Sequence, residues 1–181
     1  SDIEELDESD KELFIENLGR YLPIDVQEKL MPSIDREELL EVKRHSIKDV
    51  KEANDSRTVS QLKGMTEDEI VKITNELSGD DIKKIAVGLS EETKVQVLGI
   101  AIGRGSLDNY EILEIAEDLS EENKLKVIRL EKLGRYAIVE IAKGLSEKNK
   151  LEVIRLEKLD RYSIAKIAEG LSEENKLKAI E

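Results

Sequence analysis

Apolar residues in the last part of the chain recur at i, i+3, i+4 and i+7. Ile112, Ile115, Ala116 and Leu119 form one such stripe, Ile138, Ile141, Ala142 and Leu145 a second, and Ile164, Ile167, Ala168 and Leu171 a third. That spacing places each set on one face of an α-helix. Successive stripes are 26 residues apart. Between them the pattern changes: Leu125, Val127, Ile128, Leu130 and Leu133 spread around much of a helical cylinder, as suits a helix sandwiched between neighbours. A fixed period of this length means one supersecondary unit that buries its apolar face by stacking on the next. The pattern therefore predicts an all-α, right-handed superhelix, an α-solenoid of short helical hairpins with a 26-residue repeat.

The dipeptide Leu-Ser punctuates the array at Leu77-Ser78, Leu89-Ser90, Leu119-Ser120, Leu145-Ser146 and Leu171-Ser172. Leu closes one helix on its buried side, and Ser is expected to cap the next by accepting a hydrogen bond from a free backbone N–H. The acidic residues that follow most of these serines suit the positive end of a helix dipole. Gly88, Gly144 and Gly170 stand before Leu-Ser, where a helix must stop. Helices are expected at about 67–76, 79–88, 91–102, 107–118, 121–133, 136–143, 147–159, 162–169 and 173–181. Tyr110, Tyr136 and Tyr162 share the 26-residue register, each nine residues before a Leu-Ser. Four extra residues after Leu89 fall in the Gly103-Arg104-Gly105-Ser106 turn.

Upstream, Ser9 and Glu12 form a capping-box pair for a helix over 9–18 with Leu13, Phe14 and Leu18 on its apolar side. Pro23 opens a helix to about Leu30, Pro32 closes it, and residues 35–53 form a longer one. Gly19-Arg20-Tyr21 matches Gly134-Arg135-Tyr136, which makes this segment a diverged copy of the unit. Asn54-Asp55-Ser56-Arg57-Thr58 is a polar break. The expected division is an acidic N-terminal helical segment over 1–58 and the helical-repeat solenoid over 59–181.

The charge is unevenly placed. The net charge of −13 divides into −8 over residues 1–60, −7 over 61–118 and +2 over 119–181. The acidic part repels nucleic acid and anionic membrane, so only the C-terminal repeats tolerate a polyanion. There is no Cys, which excludes disulfides and thiolate metal sites. No apolar run reaches the length of a membrane span and no signal peptide is visible, which sets the expectation of a cytoplasmic protein. No catalytic triad, Walker loop or dinucleotide fingerprint appears, so no enzyme and no cofactor is expected. His45, beside Lys43 and Arg44, reads as a solvated helix residue. Glu67-Asp68-Glu69 and Asp80-Asp81 read as dipole partners opening helices and not as a metal site.

The Arg-Tyr pairs are the most regular polar feature. Arg135, Tyr136, Arg161 and Tyr162, with Arg129 and Arg155 on the preceding helices, form a candidate partner-binding ladder, one guanidinium and one aromatic ring per repeat. The competing reading has each tyrosine stapled onto Ile115, Ile141 or Ile167 five residues on, and each arginine near a helix C-terminus.

The run Met65-Thr-Glu-Asp-Glu-Ile-Val-Lys-Ile-Thr-Asn-Glu-Leu-Ser-Gly-Asp-Asp-Ile82, with its Leu-Ser cap, resembles the N-terminal cytoplasmic superhelix of bacterial magnesium transporters and the armadillo-like part of flagellar motor-switch proteins. The resemblance, which covers residues 65–181 in style, implies an armadillo/HEAT-like superhelix. The function expected is a non-enzymatic protein–protein interaction or scaffolding module with a protein or peptide partner. The alternatives are nucleic-acid binding through the C-terminal repeats and, as the resemblance implies, a cation-responsive regulatory domain of a larger protein. Leu171–Glu181 supplies only the first helix of a further unit, so self-association through that end is also expected.

Overall fold

The computed structural model describes residues 22–52 and 62–179, together with Asp7, Ser9, Asp10, Leu13 and Asn17. The expected helix over 9–18, Tyr21, the polar break at 54–58 and the division at 58/59 lie wholly or partly outside the described residues. Among those described, the fold is all-α, with eleven α-helices, one 3₁₀ turn and no strand. The chain divides into two compact units, residues 1–85 and 86–181.

In the first unit, α1 (Ile24–Leu30) starts at Pro23, whose carbonyl accepts from the Val26 and Gln27 N–H groups at 3.0 and 3.2 Å. α2 (Arg36–Glu52) is opened by Asp35, whose carboxylate accepts from the Glu38 N–H at 2.9 Å. α3 (Glu67–Ile73) carries the capping box formed by Thr66 and Glu69. A 3₁₀ turn (Thr74–Glu76) and α4 (Gly79–Ala86) follow. Ile24, Leu39, Ile47 and Ile73 are fully buried between these elements.

One guanidinium ties the loops of this unit together. Arg36 donates to Glu69 at 2.5 and 2.9 Å, to Glu28 at 2.6 Å and to the Gly64 carbonyl at 2.8 Å. Gly64 has φ +87°, and a Cβ there would stand 2.7 Å from Asp25 Cγ, so only glycine fits. Lys43 is fully buried and donates to the Leu22 carbonyl; burial pushes its ammonium down to a pKa of about 8.

The second unit holds α5 (Glu91–Arg104), α6 (Asn109–Ala116), α7 (Glu121–Ile128), α8 (Arg135–Lys143), α9 (Glu147–Ile154), α10 (Arg161–Ala168) and α11 (Glu173–Lys178). Helix α5 packs on α6, α8 on both α7 and α9, and α9 on α10; α5, α7, α9 and α11 also touch in succession, as do α6, α8 and α10. The unit thus has two layers, and the striped helices form the second. Ile112, Ile138 and Ala142 are buried under it, with Val127 and Ile128 from the first layer.

Three local expectations are corrected. The first-layer helices end at Ile128 and Ile154, five residues before the expected stops at 133 and 159. At the end of α7 a lysine from the next copy takes up carbonyls: Lys158 Nζ donates to the carbonyls of Ile128 and Leu130 at 2.5 and 2.8 Å. The chain then turns, and Leu133 reaches the core from that turn with 4% exposure. Second, Gly103 and Arg104 lengthen α5, and the turn is made by Gly105, with φ +71°, and Ser106. Third, Leu125 and Leu151 are only half-buried, whereas Val127 and Val153 are buried.

That difference is measurable. Ile128→Ala should cost about 2–5 kcal/mol, because a fully buried side chain leaves a cavity. Leu125→Ala should cost less than half as much. Urea unfolding followed by far-ultraviolet circular dichroism will compare them. Equal losses would contradict the placement of the two side chains.

Candidate interaction surface

Each second-layer helix begins with its tyrosine in the first turn, so all three rings lie at one end of the layer. The helix stripe that packs inward starts two residues later, at Ile112, Ile138 and Ile164. This offset rotates the rings away from the core. Tyr110, Tyr136 and Tyr162 are 73%, 49% and 73% exposed, so they are not stapled onto Ile115, Ile141 and Ile167. Tyr110 and Tyr136 meet edge to face with ring centroids 6.4 Å apart. Partial desolvation, then the neighbouring Tyr110, raises the Tyr136 phenol above its ordinary pKa.

The arginines divide into two kinds. Arg135 Nε donates to the Lys158 carbonyl at 3.0 Å, and its Nη1 pairs with Asp160 at 3.2 Å. Arg129 pairs with Glu152. Both therefore tie one copy of the unit to the next. Arg155 and Arg161 are exposed. The ladder expected from sequence is thus brought together for the aromatic rings, while two of its four cations are engaged inside the fold.

The residues that sequence reasoning missed are the first glutamates after Leu-Ser. Glu91 accepts from the Ser120 N–H at 2.9 Å, the Ser120 hydroxyl at 2.7 Å and the Asn123 amide at 2.7 Å. Glu121 accepts from the Ser146 N–H at 3.0 Å, its hydroxyl at 2.8 Å and the Asn149 amide. Glu147 treats Ser172 and Asn175 in the same way. Hydrogen bonds from Asn123 and then Ser120 hold the Glu91 carboxyl down to a pKa of about 2. Glu121 and Glu147 are held below the ordinary glutamate value by the same donors in the next copy. The signal was present in the sequence, since Ser-Glu-x-Asn recurs with the period.

This clamp corrects the capping role expected of Ser146. Its backbone occupies the cap position, but its hydroxyl donates to Glu121 and accepts nothing from its own helix. Ser90 and Ser120 do accept from the Thr93 and Asn123 N–H groups, each at 3.4 Å.

Beyond the first turns that carry the tyrosines, the later parts of α6 and α8 line an open groove of about 340 Å³. Leu113, Ala116 and Ile141 give it an apolar floor, and Glu114, Glu117 and Glu140 stand among its walls with Lys124. Glu140 pairs with Lys143 at 2.5 Å, and Lys166 with Glu169 at 2.9 Å. The two full copies, residues 119–144 and 145–170, match at 19 of 26 positions. Four of the seven differences are charge reversals: Glu122 to Lys148, Lys126 to Glu152, Glu140 to Lys166 and Lys143 to Glu169. The scaffold is kept and the surface charge changes.

Elsewhere, His45 is exposed, with Nδ1 2.8 Å from the Glu41 carbonyl oxygen. Glu69 is engaged by Arg36 and Thr66, and Asp81 by Ser78. Among the described residues no group of three or more His, Asp or Glu side chains is placed to hold a metal ion, and no helix is long and apolar enough to cross a membrane. Comparison with protein families, curated proteins and solved structures finds no match to this chain.

Two predictions follow from the clamp. Ser146→Asp should lower the melting temperature more than Ser146→Ala, since it sets a second carboxylate against Glu121; at a simple cap, Asp would substitute for Ser with little loss. Thermal melts at neutral pH will rank the two, and a neutral Ser146→Asp would remove the clamp. The clamp also sets an acid limit. A carboxylate whose pKa is lowered by folding stabilises the fold above its unfolded value of 4.5, and the contribution fades as pH falls towards the folded value, about 2 for Glu91. Melting temperature should therefore fall between those limits, and Glu91→Gln should flatten that fall while lowering the plateau. An unchanged acid limb in the variant would count against this assignment.

Proposed function

We propose that the chain is a non-enzymatic protein-binding module. In this reading the second unit is a right-handed superhelix of stacked hairpins, and the α6–α8–α10 face receives a protein or peptide partner. The observation that carries the reading is the row of three exposed tyrosines at one end of a layer whose opposite face packs into the core. Tyrosine offers a large, stiff contact surface with little entropy to lose, which is why it concentrates at binding hot spots. Leaving the Tyr110 and Tyr162 rings mostly in water, and half of Tyr136, gives the fold little, since that exposed area is not removed from solvent.

The distribution of differences between the copies supports the same face. Gly134 and Asp160, Val139 and Ala165, Glu140 and Lys166, and Lys143 and Glu169 all belong to the tyrosine-bearing helices or their caps. A protein partner is favoured over nucleic acid because Arg129, Arg135 and Lys158 are engaged with acceptors of the chain itself.

Photo-crosslinking tests the reading. A benzophenone amino acid placed at Tyr110, Tyr136 or Tyr162 should yield the same protein adduct from all three positions. The same group at Glu122, which is exposed on α7, should not. Adducts that are lost on nuclease treatment, or that form equally at Glu122, would overturn it.

A further inference from the structure

We infer that the α10–α11 side of the second unit is a docking site for a helical hairpin of the repeat's own chemistry, with Lys-x-Asp opening its first helix and Leu-Ser-x-x-Asn opening its second. The site is separate from the tyrosine face and does not depend on its use. The inner steps of the stack show what each position there holds. Arg135 takes the Asp160 carboxylate at 3.2 Å and the Lys158 carbonyl at 3.0 Å. Arg161 stands 26 residues on, is exposed, and among the described residues has no hydrogen bond or ion pair. The carbonyls of Ile154 and Leu156 stand where those of Ile128 and Leu130 accept Lys158. Glu91, Glu121 and Glu147 each hold a Ser and an Asn of the next copy. Glu173 is next in that series, and its carboxylate meets Lys176 at 2.7 Å. That lysine is part of the clamp and not a rival for it. Lys124 and Lys150, at the same place, favour the charged forms of Glu121 and Glu147 while those clamps are filled.

Apolar surface marks the same side. Helix α8 lies against both α6 and α10, and its Ile138, Val139 and Ala142 are buried. At the same positions on α10, Ile164 and Ala168 are only half-buried and Ala165 is exposed. Helix α11 buries no residue, and its Leu177 is 67% exposed where Leu125 and Leu151 are half-buried. A helix laid on α10 as α10 lies on α8 would cover the first three and bring an aspartate to Arg161. Its successor, laid on α11, would cover Leu177 and bring Ser and Asn to Glu173. The polar contacts thus fix the register, and the apolar ones supply the burial that drives docking. A folded second copy of the chain does not suit the site, because its own Lys158, Asp160, Ser172 and Asn175 are already engaged.

The test uses the full chain and a fluorescein-labelled peptide with the sequence of residues 156–181, which carries Lys-x-Asp and Leu-Ser-x-x-Asn at the required spacing. Anisotropy titration should show binding, and circular dichroism should show helix gained on mixing, since a free peptide of this length is only marginally helical. Arg161→Ala and Glu173→Gln in the chain should each weaken binding about tenfold, because each removes a charged partner of a hydrogen bond. Tyr110→Ala, on the tyrosine face, should leave affinity within about twofold. A peptide with Ser172→Ala/Asn175→Ala should bind more weakly and be indifferent to Glu173→Gln in the chain, which assigns the clamp to that pair of segments. Circular dichroism of each variant checks the fold. Absence of binding, or equal loss with Tyr110→Ala, overturns the inference. So does a dimer of the chain in sedimentation that the peptide disperses, which would put a second copy at the site. Crosslinking at the tyrosines reports on the other face and is unaffected by either result.

Discussion

The second unit depends on one carboxylate per copy. Each clamp glutamate sits in the first turn of a first-layer helix and holds the cap serine and the asparagine of the next copy. Hydrophobic burial alone would permit adjacent hairpins to slide, because Leu, Ile and Val contacts are not directional. Three hydrogen bonds to an ionised acceptor are directional, and each is stronger than its neutral equivalent. They fix the step from one copy to the next and also satisfy the Ser N–H that a helix start leaves free. Lys158, reaching back to the carbonyls of Ile128 and Leu130, fixes the other end of the same step. Burial lowers its pKa, so the bond is made by a cation taken partly out of water.

With the step fixed, the second-layer helices fall into line and their first turns present tyrosine at one end. The apparent surface ladder is therefore a product of internal ties. Charge reversals between copies fit the same frame. The exchange of Glu140–Lys143 for Lys166–Glu169 keeps an ion pair within each helix while setting Lys143 close enough to Glu169 to favour its charged form. Identical copies would have placed like charges side by side. Exposed pairs of this kind add little stability singly, but alternation discourages pairing out of register.

The first unit is held on a different plan. Its centre is Arg36, which gathers Glu28, Glu69 and the Gly64 carbonyl from three separate segments. Its planar fork suits this gathering in a way that a lysine would not. The same Glu69 completes the capping box with Thr66, so one carboxylate serves both the helix start and the loop tie. Arg44 with Glu76, at 3.0 Å, adds a second link between α2 and the 3₁₀ turn.

Periodicity alone determined that the chain is helical, where the second-layer helices run and which of their faces is inside. The stripe Ile138, Ile141, Ala142 and Leu145 is buried along its whole length. A 3.6-residue period leaves no other way to bury four such residues in one segment. The Thr66–Glu69 capping box was equally legible, because both partners lie within one turn. What the sequence did not determine was the partner of any side chain that reaches across copies. Ser146 has the residue type of a helix cap, yet its hydroxyl is taken by Glu121, 25 positions earlier. The acceptor of Lys158 was hidden for the same reason: it takes the Ile128 carbonyl at the end of α7, 30 residues away. Arg135 and Arg129 likewise look like free surface cations until their acceptors in the next copy are placed. Local spacing fixes what a residue can do, but a hydrogen bond goes to whichever acceptor packing brings nearest, and that depends on the three-dimensional step between copies.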